Sequence, residues 1–175
     1  MKQGSRYKRD GFTLIELVVV MVIVGILTIF SVPYFGGFAN RTKLDSECRT
    51  WVAYANYARS QAVMNGTNYR LTCDLDQQSY ALTYEMLSTN VSGQYIAPAD
   101  AWGQEVSVDS SLRIISIQLD QNLPQQSGVA VIEFTPRGTS NDAVVIIQNI
   151  DQDQRQINIT GITGLAQILS TVTTT

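Results

Sequence analysis

One stretch decides the fold, Gly11-Phe12-Thr13-Leu14-Ile15-Glu16-Leu17, because it opens a long apolar run. No residue from Leu17 to Asn40 is charged, and the chain is almost continuously apolar as far as Phe30. A helix needs about 20 apolar residues to cross a bilayer. The sequence therefore predicts a membrane-spanning helix over residues 12–35.

The residues before this run are mostly basic. Residues 1–11 hold four basic side chains and one acidic side chain, whereas the rest of the chain holds 8 basic against 14 acidic ones. Because basic residues flank membrane helices on the cytoplasmic side, we expect a cytoplasmic N-terminus and an exported C-terminal domain. An ordinary secretory signal is disfavoured, since its apolar core is only about 7–15 residues long.

The stretch Gly11–Leu17, with basic residues before it and an apolar span after it, resembles the class III signal of type IV pilins and type II secretion pseudopilins. In that family a prepilin peptidase cuts after the glycine and methylates the new N-terminus. The resemblance implies that residues 1–11 are a leader peptide ending at Gly11, and that Phe12 becomes the N-methylated first residue. It also matches Glu16 to the family's glutamate and Pro33 to its helix-bending proline.

Glu16 is a carboxylate inside an apolar segment. A charge at the centre of a membrane helix costs about 2.5–3.5 kcal/mol on insertion scales, and less near the interface. Cleavage after Gly11 creates a partner for it, the positive amine of Phe12 on a neighbouring subunit. We therefore expect these charges to pair and to set the stagger between subunits. The alternative is a plain signal anchor with a stray interfacial glutamate.

Helical periodicity resumes after Gly36-Gly37 and stops at Asn65-Gly66. Residues 36–66 are thus predicted to be an exported continuation of the helix, with a kink at Pro33, because proline removes a helical hydrogen bond. One apolar face, spaced by three and four residues, is predicted to pack on the exported domain; its members are Leu44, Cys48, Trp51, Ala55, Ala58 and Ala62.

After Gly66 the sequence changes to short β runs separated by turn residues. Residues 67–175 are therefore predicted to form a β-rich globular domain, with a long loop between Ser88 and Ser111. The fold class is α+β, a long N-terminal helix packed on an antiparallel β-sheet or small β-sandwich. The predicted strands are Tyr69–Cys73, Tyr80–Leu87, Leu112–Leu119, Val129–Phe134, Ala143–Ile150 and Gln156–Thr160.

Two exported segments narrow the resemblance. Residues Ala58–Gly66 look like the helix end of the GspH/FimT group of minor pseudopilins and pilins, and Phe134–Gly138 is similar to its Phe-x-Pro-x-Gly turn. We expect both segments to be scaffold rather than binding site. The resemblance implies a minor pseudopilin of a type II secretion pseudopilus, anchored in the bacterial inner membrane by one span, with a periplasmic domain. The alternative is a FimT-like minor pilin in type IV pilus assembly or DNA uptake.

The distribution of basic residues argues against nucleic acid as a partner. Phosphate is held mainly by lysine and arginine, and no residue after Arg155 is charged. Arg113 and Arg137 would join Arg155 in a basic patch only if the fold brought them together. The expected partners are prepilin peptidase, other pseudopilins or pilins, the inner membrane and, as an option, secreted protein cargo.

The chain has no histidine, which excludes Ser-His, Cys-His and His-metal sites. No carboxylate pair forms a recognisable catalytic motif, so we expect neither an enzyme nor a bound cofactor. Several turns carry pairs of oxygen ligands, but they lack the full spacing of a calcium-binding EF-hand; these residues are Asp74, Asp76, Asn141, Asp142, Asp151 and Asp153.

Cys48 and Cys73 leave two interpretations open. In an oxidising compartment they could form a disulfide that closes a loop of about 25 residues and adds about 3 kcal/mol. They could equally be two small buried hydrophobic residues.

Overall fold

The computed structural model describes residues 12–86 and 93–169, with the side chains of residues 29–36 excepted. The chain divides into two compact units, one up to Phe38 and one from Ala39 onward. The predicted leader over residues 1–11 lies outside the described residues, as does the uncharged tail beyond residue 169.

Helix α1 runs from Leu14 to Asn65 and contributes to both units. It begins after Thr13, whose hydroxyl oxygen accepts a hydrogen bond from the backbone N–H of Glu16 at 3.3 Å. A threonine in this position satisfies one of the backbone donors that a first helical turn leaves free. Glu16 itself lies in that turn, where the helix dipole favours a negative charge.

Among the residues whose side chains are described, which leaves out residues 29–36, no helical segment is long and apolar enough to span a membrane. The span predicted over residues 12–35 includes those side chains, and it stays a prediction. The kink predicted at Pro33 also falls on an undescribed side chain.

In its described residues the second unit has nine strands, all paired antiparallel, in two sheets. The first sheet has the order β3-β2-β1-β6, with β4 also paired to β2, and the second has the order β5-β7-β8-β9. The strands are β1 (Tyr69–Asp74), β2 (Ser79–Glu85), β3 (Tyr95–Ile96), β4 (Val106–Ser107), β5 (Leu112–Leu119), β6 (Val129–Phe134), β7 (Ala143–Asn149), β8 (Gln154–Thr160) and β9 (Leu165–Leu169).

The α+β class is confirmed, with the part of α1 in the second unit packed on antiparallel sheets. The core holds the whole predicted helix face, since Leu44, Cys48, Trp51, Ala55, Ala58 and Ala62 are each 0% exposed. Inward-facing residues of both sheets complete it, for example Leu71 and Ile132 from the first sheet and Val145 and Ile157 from the second. The helix therefore fills the space that both sheets share.

One sequence expectation about the β domain is wrong, and one strand was missed. The predicted loop between Ser88 and Ser111 contains β3, β4 and a short 3-10 helix, Ala101–Gly103, within the part that is described. Strand β9 was not predicted at all. Strands β3 and β4 have two residues each, too few to show a periodic pattern, and β9 alternates poorly because it lies at a sheet edge.

Cys48 and Cys73 are both free and buried in the structure. Burial raises the pKa of each thiol to about 12, because the charged thiolate loses its hydration. The structure thus has the second of the two predicted alternatives, a pair of small buried side chains, rather than the disulfide.

Candidate functional site

The first unit presents apolar side chains on its surface. Phe12 is 82% exposed and Leu14 is 84% exposed, and the apolar residues that follow as far as Leu27 are about half exposed or more. Glu16 lies among them and is exposed as well. Apolar surface of this extent is normally covered by lipid or by another protein. Residues 12–27 are therefore the candidate assembly surface.

The second unit begins with a set of polar contacts between α1 and the β7–β8 turn. Asn40 donates to Asp151 at 2.8 Å, and the guanidinium of Arg41 binds Asp153 at 3.0 Å. One turn further on, Asp45 accepts from Arg155 on β8 at 2.9 Å. Because solvent screens these exposed pairs, each adds little to stability. Together they orient the β7–β8 turn toward the helix.

Other turn carboxylates are also used inside the protein. Asp74 accepts from the backbone N–H groups of Asp76 and Gln77, both at 2.9 Å, and Asp142 accepts from that of Gly161 at 2.7 Å. These contacts close the turns in which the carboxylates lie. Across the described residues, no three His, Cys, Asp or Glu side chains are grouped as metal ligands.

The basic patch considered for Arg113, Arg137 and Arg155 is not built. In the register of the second sheet, Arg113 lies opposite Gln148 and Arg155 lies opposite the neighbouring Ile147. Successive residues of a strand point to opposite faces, so Arg113 and Arg155 are on different sides of the sheet. Arg155 is moreover paired with Asp45 on the helix.

The two segments that resembled the GspH/FimT group meet at Arg59. Its Nε–H donates to the carbonyl oxygens of Gly138, at 3.2 Å, and Thr163, at 2.5 Å. Gly138 ends the predicted Phe-x-Pro-x-Gly turn, and Thr163 lies in the turn between β8 and β9. The arginine therefore ties one turn from each sheet to the end of the helix.

Aromatic side chains dock the connection between β2 and β5 on the helix. Trp102 stacks on Tyr57 with ring centroids 4.5 Å apart and contacts Tyr54 edge-on at 4.8 Å. The hydroxyl of Tyr57 donates to Asp100 at 2.5 Å, and this bond raises the pKa of Tyr57 to about 12. Sequence reasoning identified Trp102 only as a loop residue, because nothing local indicates a partner 45 positions away.

A half-buried carboxylate lies at the other end of this aromatic group. Glu47 accepts a hydrogen bond from the hydroxyl of Tyr80 at 3.0 Å, and Tyr80 contacts the rings of Trp51 and Tyr54. Burial raises the pKa of Glu47, while the bond from Tyr80 opposes that shift. Glu47 is not a member of the apolar helix face predicted from the sequence, yet the structure brings its carboxylate to the edge of the core.

Two family models match the chain. Residues 6–32 match the prokaryotic N-terminal methylation motif, which includes Gly11, Phe12 and Glu16. Residues 47–163 match the model described as type II transport protein GspH, about two thirds of the chain. A comparison with curated proteins found no match.

Solved structures of the minor pseudopilin EpsH from the type II secretion system of Vibrio cholerae share the fold. One covers 77% of this chain and 98% of its own at 11% identity, with a TM-score of 0.60. Another covers 73% and 96% at 15% identity, with a TM-score of 0.55. The type IV minor pilin FimU of Pseudomonas aeruginosa is 17% identical over 75% of this chain and 92% of its own, with a TM-score of 0.48. By its match over residues 47–163, the chain belongs to the GspH family of type II transport proteins.

Proposed function

We propose that this chain is a minor pseudopilin of a type II secretion pseudopilus, cleaved after Gly11 and assembled through its N-terminal helix. The observation that carries the proposal is the order of the two family matches, a methylation motif over residues 6–32 followed by the GspH region over 47–163. The exposed apolar helix that starts at Leu14 supports it, since such a surface needs lipid or neighbouring subunits.

In this proposal each segment has its own task. Residues 1–11 direct the chain to prepilin peptidase and are removed. Residues 12–35 anchor the subunit in the inner membrane and later pack in the filament, and residues 36–66 continue the helix into the periplasm. Residues 67–175 form the periplasmic domain. The chain acts as a structural subunit, with no catalytic step of its own.

Charge pairing between subunits is part of the proposal. Removal of the leader leaves a cationic amine on Phe12, and Glu16 carries the carboxylate that would bind it in a neighbouring subunit. Within one chain the two residues are about one helical turn apart, so they can also neutralise each other before assembly. In a medium of low dielectric constant, such a pair is far stronger than it is in water.

Crosslinking of the native protein in its own cells, with the partners identified by mass spectrometry, tests the assignment. We expect crosslinks to other secretion pseudopilins or to a secreted protein, and a mature chain that starts at Phe12. Crosslinks to major or minor pilins alone would replace the secretion assignment with pilus assembly. A chain that starts at Met1 or Asn40 would contradict the processing step.

A further inference from the structure

A cavity of about 400 Å³ opens in the second unit, between the last turns of α1, strands β1 and β2, and the segment before the 3-10 helix. Its lining includes three tyrosines, two amide side chains and a carboxylate, namely Tyr57, Tyr69, Tyr84, Gln61, Asn65 and Asp100. Its volume lies in the range of small-ligand sites, about 300–1,000 Å³. None of the contacts proposed for cleavage or for helix assembly uses this cavity.

The aromatic walls of the cavity are held by contacts within the domain. Tyr69 and Tyr84 stack on each other with centroids 5.5 Å apart, and Tyr57 stacks on Trp102. The amide of Asn65 donates to the hydroxyl of Tyr69 at 2.9 Å. The cavity therefore exists before a ligand arrives, which lowers the entropic cost of binding.

The electrostatics of the cavity favour a cation. Asp100 accepts from the hydroxyl of Tyr57 and from the backbone N–H of Trp102, which are both neutral donors and leave its negative charge in place. Glu85, a second carboxylate of the lining, accepts from the neutral amide of Asn68. No lysine or arginine lines the cavity, and within residues 12–86 and 93–169 none forms an ion pair with either carboxylate.

We propose that this cavity binds the cationic side chain of a lysine or arginine presented by a partner protein. A carboxylate beside electron-rich tyrosine rings is the combination that attracts ammonium and guanidinium groups. The amide oxygen of Asn65 adds an acceptor for their N–H donors. The amide oxygen of Gln61 accepts from Asn65 at 3.1 Å and keeps a second lone pair. A surface arginine in a similar setting already occurs in this chain, since Arg70 lies 3.6 Å above the ring of Tyr95.

The test uses the full chain in non-ionic detergent micelles, with ¹³C-labelled tyrosines observed by NMR. The probe is the capped peptide Gly-Lys-Gly, and the capped peptide Gly-Gln-Gly is its neutral counterpart. We expect the lysine peptide to shift the signals of Tyr57, Tyr69 and Tyr84 in a saturable way. The variant Asp100→Asn should raise the dissociation constant about tenfold, because the lysine ammonium then meets a neutral acceptor in place of a carboxylate.

Glu105→Gln is the matched control for this variant. It removes the same charge from the same connection between β2 and β5, but Glu105 binds Ser79 and does not line the cavity. The dissociation constant of the lysine peptide from Glu105→Gln should match that from the unchanged chain. Equal shifts with the glutamine peptide, or an effect of the lysine peptide that Asp100→Asn leaves unaltered, would overturn the proposal. Saturation of the same signals by chitotriose and not by the lysine peptide would reassign the cavity to a glycan.

Discussion

The Nε–H of Arg59 on helix α1 donates to the carbonyl oxygen of Gly138 at 3.2 Å, and so joins the helix to the turn that follows β6. Gly138 has a φ of +78°, and a Cβ atom added to it would lie 3.4 Å from a methyl group of Val63 and 3.5 Å from the Arg59 guanidinium. The same Nε–H also reaches the carbonyl oxygen of Thr163. The helix end and two loops therefore form one packed junction, with Arg59 at its centre.

Replacement of Arg59 by alanine should lower the free energy of unfolding by about 1.5–3 kcal/mol, because two backbone carbonyls lose a charged donor. Unfolding of the full chain in detergent by urea, followed by the fluorescence of Trp51 and Trp102, measures the change. Arg49→Ala is the control, since Arg49 is exposed on the same helix. An equal loss in both variants would mean that the junction contributes nothing beyond helix propensity.

Gly164 gives a second test of this junction. Its φ is +61°, and a Cβ atom there would lie 2.5 Å from the carbonyl oxygen of Gly138. Gly164→Ala should therefore cost about 1–2 kcal/mol for the left-handed backbone and a further 1–3 kcal/mol or so for overpacking. Gly128 has a φ of +78° with no atom within 4 Å, so Gly128→Ala should show only the backbone cost in the same urea experiment. Equal losses would contradict the close approach.

Local patterns of sequence predicted the helix and most of the sheet. The spacing of Leu44, Cys48, Trp51, Ala55, Ala58 and Ala62 identified the buried helix face, because a helix repeats every 3.6 residues. Strands β5 and β6 were predicted with their observed bounds, since both carry long apolar or alternating runs between turn residues. Where a strand had two residues or lay at an edge, that signal was absent.

Contacts between distant residues could not be predicted in this way. Arg59 lies outside the apolar stripe, and nothing in its neighbourhood indicates that carbonyls 79 and 104 positions away will meet it. The bond between Tyr57 and Asp100 has the same origin, because only the docking of the β2–β5 connection brings the two together. The sequence patterns thus located the motif segments, whereas the contacts between these segments depend on the tertiary fold.

Glu47 should make stability depend on pH. Burial is the main cause that raises the pKa of Glu47 in the folded state. The hydrogen bond from Tyr80 lowers this pKa, and the negative charge of Asp109 raises it further. The folded protein therefore holds the Glu47 proton more tightly than the unfolded chain does. The free energy of unfolding is highest below the unfolded pKa, about 4.5, and it falls as the pH rises through the folded pKa. The loss should be about 1.4 kcal/mol for each unit between the two values.

Urea unfolding between pH 4 and pH 8, on the chain and on Glu47→Gln, measures this term. Glutamine keeps an acceptor for Tyr80 and cannot ionise. The unfolding free energy of Glu47→Gln should therefore lack this fall with rising pH. In Tyr80→Phe the decline should be steeper, because the bond that lowers the Glu47 pKa is gone. Identical pH profiles for the chain and for Glu47→Gln would show that the carboxylate is solvated in solution.

Replacement of Gly11 by leucine should leave the leader attached. In the proposed processing step the peptidase must accept a residue without a side chain at the cleaved bond, and a bulky one would block access. Intact-mass spectrometry of the membrane-extracted protein distinguishes a chain that begins at Met1 from one that begins at Phe12. A normal mature mass for Gly11→Leu would contradict cleavage at this bond.

Glu16→Ala should still be cleaved after Gly11 but should enter filaments poorly. The backbone N–H of residue 16 keeps its bond to Thr13 in this variant, so the start of the helix is retained and only the carboxylate is lost. Without that carboxylate, the amine of Phe12 in the neighbouring subunit has no counter-charge, which costs several kcal/mol in an apolar surrounding. Glu16→Gln keeps the size of the side chain and should fail to the same degree if the charge is what matters.

Intact mass reports cleavage, and the share of the protein in sheared pseudopili reports assembly. Normal incorporation of either variant would refute the charge-pairing account and leave the apolar surface of residues 12–27 as the source of assembly.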